Sequence, residues 1–172
     1  MKRMLSLSLS ALLLLSALVG CGSKDSGTAS KTPEEYTEAY KTAIESARDD
    51  ELNEAVPVVT STEDDTASMV LSLIGVTDEN TDAFAVAISP MNIKAYGVAA
   101  IYPAEGRADA VLEGLEGFVA QQMQNFQNYL ADQYDIANSA RLETLEDGTV
   151  LLVMCEGQDG VFDAIRDRIE AA

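Results

Sequence analysis

The chain has 172 residues, 11 of them basic against 29 acidic, and no His, which gives a formal net charge of -18 at pH 7. So acidic a chain has too few Lys and Arg to displace the counterions of a nucleic acid, which excludes that class of partner. The lack of His removes the usual general base and the commonest metal ligand, and two Cys build neither a structural zinc site nor a disulfide framework.

Lys2 and Arg3 open the chain, and the run from Met4 to Val19 is apolar or Ser, densest at Leu12 to Leu15. It is shorter than the roughly 20 apolar residues of a comfortable membrane span and fits the h-region of a secretory signal peptide. It ends Leu18-Val19-Gly20-Cys21, which resembles the lipobox of bacterial lipoproteins. The resemblance implies cleavage between Gly20 and Cys21. It also implies a diacylglycerol, with palmitate-type chains, on the Cys21 thiol. Each buried methylene contributes about 0.8 kcal/mol, and two chains hold where one is marginal. The expected organisation is a signal peptide at 1–20, a tether at 21–32 and a single folded domain at 33–172. Loss of Lys2 and Arg3 leaves 9 basic against 29 acidic residues, a charge of -20.

Residues 22–32 are small and polar and read as a flexible tether, with a reach of roughly 15–20 Å. Thr32-Pro33-Glu34-Glu35 carries the signals of a helix start, with Thr32 as cap, Pro33 in the first turn and Glu35 completing a capping box. Tyr36, Tyr40, Ala43, Ile44 and Ala47 share one stripe, which predicts a helix to about Asp49. Residues 50–62 read as irregular. A second helix is expected from about Glu63 to Ile74, capped by Thr62, with Gly75 as its stop and Val76 folding back. Phe84, Val86 and Ile88 alternate with Ala83, Ala85 and Ala87. After a Ser89-Pro90-Met91-Asn92 turn, Tyr96 to Tyr102 alternate again, so the pair reads as a β-hairpin.

The longest helix is expected from Arg107, with apolar residues at three- and four-residue steps from Ala108 to Leu130 and Gln121, Gln124 and Gln127 on its wet side. Gly114 and Gly117 weaken it by up to about 1 kcal/mol each, which predicts a packing reason for both. A strand at about 140–146, a two-residue Asp147-Gly148 turn and a return strand from Thr149 to Cys155 follow. Val150 to Met154 is apolar on both faces and belongs in the middle of a sheet. Val161, Phe162, Ile165 and Ile169 mark a last helix. The order α-α-β-β-α-β-β-α predicts an α+β fold, an antiparallel sheet of about four strands in two hairpins with helices packed on one face.

The stretch from Phe84 to Ala95 with the strand from Gly97 to Tyr102 resembles an uncharacterised family, a domain of unknown function found in small lipoproteins of Gram-positive anaerobic bacteria. So does Phe126-Gln-Asn-Tyr129-Leu-Ala-Asp-Gln133-Tyr134 with the hairpin after it. The resemblance covers roughly residues 35–170 and departs at Tyr96-Gly97, where it implies an acidic pair. It implies a location and a fold, and no reaction.

Cys155 is the one thiol left once Cys21 is lipidated. With no His and with Glu156 beside it, it reads as a small buried hydrophobe, not a nucleophile. Asp78, Asn80 and Asp82 have the spacing of calcium-loop oxygens, but Ala83 and Ser89 stand where Gly and Glu are required, so a plain connecting loop is expected. Glu63-Asp64-Asp65 suits a helix N-terminus. Carboxylate pairs that could hydrolyse a glycoside have no specificity among 29 acids, and there is no Trp to stack a sugar. In Gly157-Gln158-Asp159-Gly160 the expected role of Asp159 is to cap the last helix. The Tyr36/Tyr40 stripe reads as core packing.

No catalytic, cofactor-binding or metal-binding residue is therefore expected; Cys21 is the one modified position. The sequence predicts a non-enzymatic binding or envelope-assembly domain, lipid-anchored at the extracytoplasmic face of the cell membrane, with an envelope protein as partner and no nucleic acid. The alternative is a small-ligand or solute-binding lipoprotein, and behind it a carboxylate-based hydrolase. Oligomeric state is open at this level.

Overall fold

The computed structural model describes residues 31–64 and 66–172. The signal peptide, Gly20, Cys21 and the tether up to Ser30 lie outside the described residues. The elements in chain order are α1 (Pro33–Ser46), α2 (Asp50–Ala55), α3 (Ala67–Leu73), β1 (Thr81–Ile88), β2 (Gly97–Pro103), α4 (Ala108–Phe126), α5 (Ala131–Asn138), β3 (Arg141–Thr144), β4 (Val150–Met154) and α6 (Gln158–Glu170). The class is α+β. The four strands pair antiparallel in the order β1-β2-β4-β3, two hairpins joined through β2 and β4. The apolar run of β4 is central, as its burial on both faces requires.

Helices cover both faces of the sheet, not one. Phe84, Val86 and Ile88 with Ile101, Leu152 and Met154 pack against α3 and α4. Ala83, Ala85 and Ala87 with Val98, Ala100, Leu151 and Val153 pack against α1 and α6. The alanines of β1 are the reason. They are apolar enough to bury, and small enough to leave room for the Tyr36 and Tyr40 rings of α1 on their side. Tyr40 is fully buried and its hydroxyl shares a 2.6 Å hydrogen bond with the Thr149 hydroxyl. Tyr36 stacks on Tyr102, ring centroids 4.4 Å apart.

Helix α1 starts as expected. The Glu35 amide donates to the Thr32 hydroxyl, and the Thr32 amide donates to the Glu35 carboxylate at 2.7 Å. Helix α2 stands where an irregular segment was expected. The Asp49 carboxylate accepts from the Leu52 amide at 2.7 Å, a cap that suffices for six residues too few to show a period. Helix α3 begins four residues later than expected, after a turn, with no side-chain cap at Thr66. Its stop is the expected one: Gly75 takes φ +66° and the Val76 amide returns to the Leu71 carbonyl.

The single long helix divides into α4 and α5. The 31 residues from Ala108 to Asn138 would extend about 46 Å as one helix, against roughly 26 Å for the eight-residue β1, so a straight helix overhangs its sheet. Helix α4 ends at Phe126, and a turn over 127–129 and Leu130, at φ -136° and ψ 80°, lead into α5. Helix α5 then brings the Gln133 side chain to accept from the Ala95 amide at 2.8 Å. The second hairpin turns through three residues, with Leu145 and Thr149 bonded across it and Gly148 at φ +92°.

Beyond β1 lies one further pairing. Val59 and Val86 exchange both backbone hydrogen bonds, at 2.8 and 2.9 Å. The same register sets Pro57 opposite Ile88. Pro57 has no N–H to give, so the pairing stops after one residue pair and leaves the edge of β1 blunted.

Candidate functional site

A concavity with exposed apolar residues in its walls lies at this blunted edge. Its walls are the end of α2 with the segment after it (Ala55, Val56, Pro57, Val59), the outer face of α3 (Thr66, Met69, Val70) and the end of β1 (Ile88, Pro90). The space enclosed is about 110 Å³. Each wall has a local cause. Pro57 keeps the α2 segment from zipping onto β1. The three-residue step from Val70 into the core leaves Met69 outside. Pro90 ends β1 and starts the loop to β2.

Two other concavities differ in kind. An open cleft of about 600 Å³ runs between α1 and α6, where Glu35, Glu38 and Thr42 face Arg168 and the chain end Ala171-Ala172. Glu35 is already engaged in the α1 cap. A groove of about 350 Å³ between α4 and β3 is lined by Leu112, Val119, Met123 and Leu142, with Glu116 at its rim. Those four apolar side chains are half-buried against the main core.

The candidate residues read from the sequence do not converge. Cys155 is buried at the end of β4, and burial together with the Glu156 charge pushes its thiol up to about 11, against a smaller pull from Lys94. Such a thiol is a packing group. Asn80 holds its own loop, accepting from the Thr77 amide and donating to the Gly75 carbonyl, both at 2.8 Å. Among the described residues no three His, Cys, Asp or Glu side chains come together as a metal site. Asp159 is not the cap of α6. That position is Gly157, at φ +70°, and Asp159 lies in the first turn at 3.6 Å from the Arg141 guanidinium. Glu63 and Asp64 sit in the turn before α3, where the Asp64 carbonyl accepts from the Ala67 amide.

The polar contact that the sequence did not announce is Arg48. Its Nη1 donates to the Val56 carbonyl at 2.9 Å and to the Tyr96 hydroxyl at 3.2 Å. It thereby ties the end of α1 to the end of α2 and to the entry of β2. Tyr96 stands where the family resemblance implied an acid. Burial raises its hydroxyl pKa, and the bond from Arg48 opposes that rise.

The comparison with known families covers the centre of this arrangement. Residues 54–155 match the sequence profile described as Domain of unknown function (DUF4358). The chain belongs to the DUF4358 family. The DUF4358 match runs from the end of α2 to the residue after β4, so it holds the whole sheet, α3, α4, α5 and every residue that walls the slot; α1 and α6 lie outside it. The expected resemblance over 35–170 is thus narrower at both ends. No curated protein and no solved structure matches the chain.

Proposed function

We propose that this DUF4358 chain is an extracytoplasmic lipoprotein. A lipid on Cys21 moors it to the cell membrane, and it works as a non-enzymatic binding or assembly domain of the envelope. One observation carries the mooring: a basic pair, an apolar run of signal-peptide length and Leu18-Val19-Gly20-Cys21 follow one another in that order at the start of the chain. The tether after Cys21 supports it, because only some ten small polar residues separate that thiol from the cap of α1. The binding role is supported by the slot beside β1. At about 110 Å³ it is well below the roughly 300–1,000 Å³ of small-ligand pockets, so this slot suits one side chain of a protein partner and not a whole solute.

The test uses cells that make the full chain. The protein is expected in the membrane fraction, with an N-terminal peptide that begins at Cys21 and has the added mass of a diacylglycerol. The Cys21→Ala chain is expected to lose that mass and remain unprocessed. Wild-type protein with residue 21 unmodified overturns the proposal.

A further inference from the structure

We propose that the slot beside β1 is the anchor pocket of a docking face for a partner protein, and that the docking segment is an apolar side chain flanked by Lys or Arg. This rests on the reading of the domain as a binding module and not on the lipid.

Exposed apolar surface is concentrated there. Five large hydrophobic side chains stand out among the described residues: Met69 at 50% exposure, Leu73 at 48%, Met91 at 53%, Ile93 at 64% and Tyr129 at 85%. Four of them belong to α3 and the β1–β2 loop, the two segments that wall the slot through Met69 and Pro90. Met69 and Leu73 are one helical turn apart and share a face. Met91 follows the wall residue Pro90 directly; exposed apolar side chains gathered beside a slot mark an interaction site, and exposed methionines adapt to a partner's shape. The slot has room for one side chain, the arrangement of an interface anchor and its pocket.

The charge around the patch selects the partner. In so acidic a chain, residues 83–104 contain one charged side chain, Lys94, and residues 66–74 contain none. The shoulders are the opposite. Asp50, Glu51 and Glu54 are exposed immediately before the Ala55–Pro57 wall, and Glu63 and Asp64 are exposed immediately before α3. An apolar centre between acidic shoulders attracts a segment whose apolar residue has basic neighbours. A second copy of the chain would set the same acids against each other, and an anionic lipid surface would be repelled by them.

The test is fluorescence anisotropy with the full chain in non-ionic detergent and three labelled synthetic peptides. One has a leucine-phenylalanine centre flanked by lysines, the second the same centre flanked by glutamates, and the third the same lysines around a serine-glycine centre. The first is expected to bind saturably, at least tenfold tighter than either other. Met69→Asp with Met91→Asp, and separately Glu54→Lys with Glu63→Lys, are each expected to weaken it about tenfold or more, while Tyr129→Asp leaves it unchanged. Equal binding of the lysine-serine peptide, no saturable binding, or indifference to the Met69 and Met91 changes overturns the proposal. So does a dimer, seen by sedimentation, that the same changes dissociate, or vesicle binding that they abolish. None of these outcomes bears on the mass at residue 21, so the two proposals fail separately.

Discussion

At the scale of single residues, Cys155 couples the fold to alkaline pH. Its thiol is buried beside Glu156 and near Tyr96, with Lys94 the one cation acting on it. The folded state holds its proton up to about 11, whereas an unburied thiol of ordinary value 9.0 has lost it two units earlier. Above pH 9 the unfolded chain therefore binds fewer protons than the folded one, and stability falls with rising pH. The contribution is complete below about pH 9 and lost as pH approaches about 11. The buried hydroxyls of Tyr40 and Tyr96, both raised by burial, extend the loss above 10. Urea midpoints measured from pH 8 to 11 are expected to decline from about pH 9, and Cys155→Ala is expected to flatten the first part of that decline. Parallel curves for the two chains would show that the thiol does not contribute. The same burial predicts no reaction with an aqueous thiol reagent until denaturant is added.

At the scale of elements, α4 contains two glycines with opposite roles. A Cβ built on Gly114 would overlap the Ile74 carbonyl oxygen and crowd the Ile74 carbonyl carbon, whereas one built on Gly117 meets nothing within 4 Å. The end of α3 thus seats against α4 only because residue 114 has no side chain. Gly114→Ala is expected to destabilise the domain by about 1–3 kcal/mol, since the obstruction is backbone and cannot rotate away. Gly117→Ala is expected to stabilise it by up to about 1 kcal/mol, the helix propensity difference alone. Chemical denaturation of both variants separates the two, and equal effects would contradict the contact. The expectation of a packing reason holds for Gly114 and fails for Gly117, because propensity marks both alike and a contact from α3 marks only one.

The same contrast runs through the rest of the fold. Local signals were legible: the Thr32 box, the Gly75 stop, the alternation of β1 and the two-sided apolar run of β4. What depends on distant packing was not. Ala83, Ala85 and Ala87 were visible as a stripe, but nothing local shows that two tyrosines of α1 cover it. The break between α4 and α5 carries no Gly or Pro, so nothing local marks it. The slot joins residues 55–59, 66–70 and 88–90, three segments with no shared motif. Pro57, Met69 and Pro90 stand among its walls, and each alone is an ordinary surface residue in the sequence.

At the scale of the whole molecule, charge is the dominant unbalanced term. The ion pairs among the described residues gather on β3 and α6. Arg141 meets Glu143 at 2.6 Å, Asp163 at 3.1 Å and Asp159 at 3.6 Å, and Arg166 meets Asp163 and Asp167. Four carboxylates are served there, out of 29 in the chain. The others repel one another across solvent, which destabilises the compact state and is screened beyond a Debye length of about 10 Å at 0.1 M salt. Raising NaCl from 10 mM to 0.5 M is therefore expected to raise Tm, by roughly 3 °C for a relief of about 1 kcal/mol. Arg141→Ala removes the one cation shared by three acids and its stacking over the Phe162 ring at 3.9 Å. That variant is expected to start lower in 10 mM NaCl and to gain more from salt than the parent. Calcium chloride at matched ionic strength and low concentration discriminates screening from a site. Equal Tm values in the two salts are expected, because Asn80 is committed to its own loop. An additional rise with calcium that Asp78→Asn removes would instead make the Asp78/Asn80/Asp82 loop a calcium site.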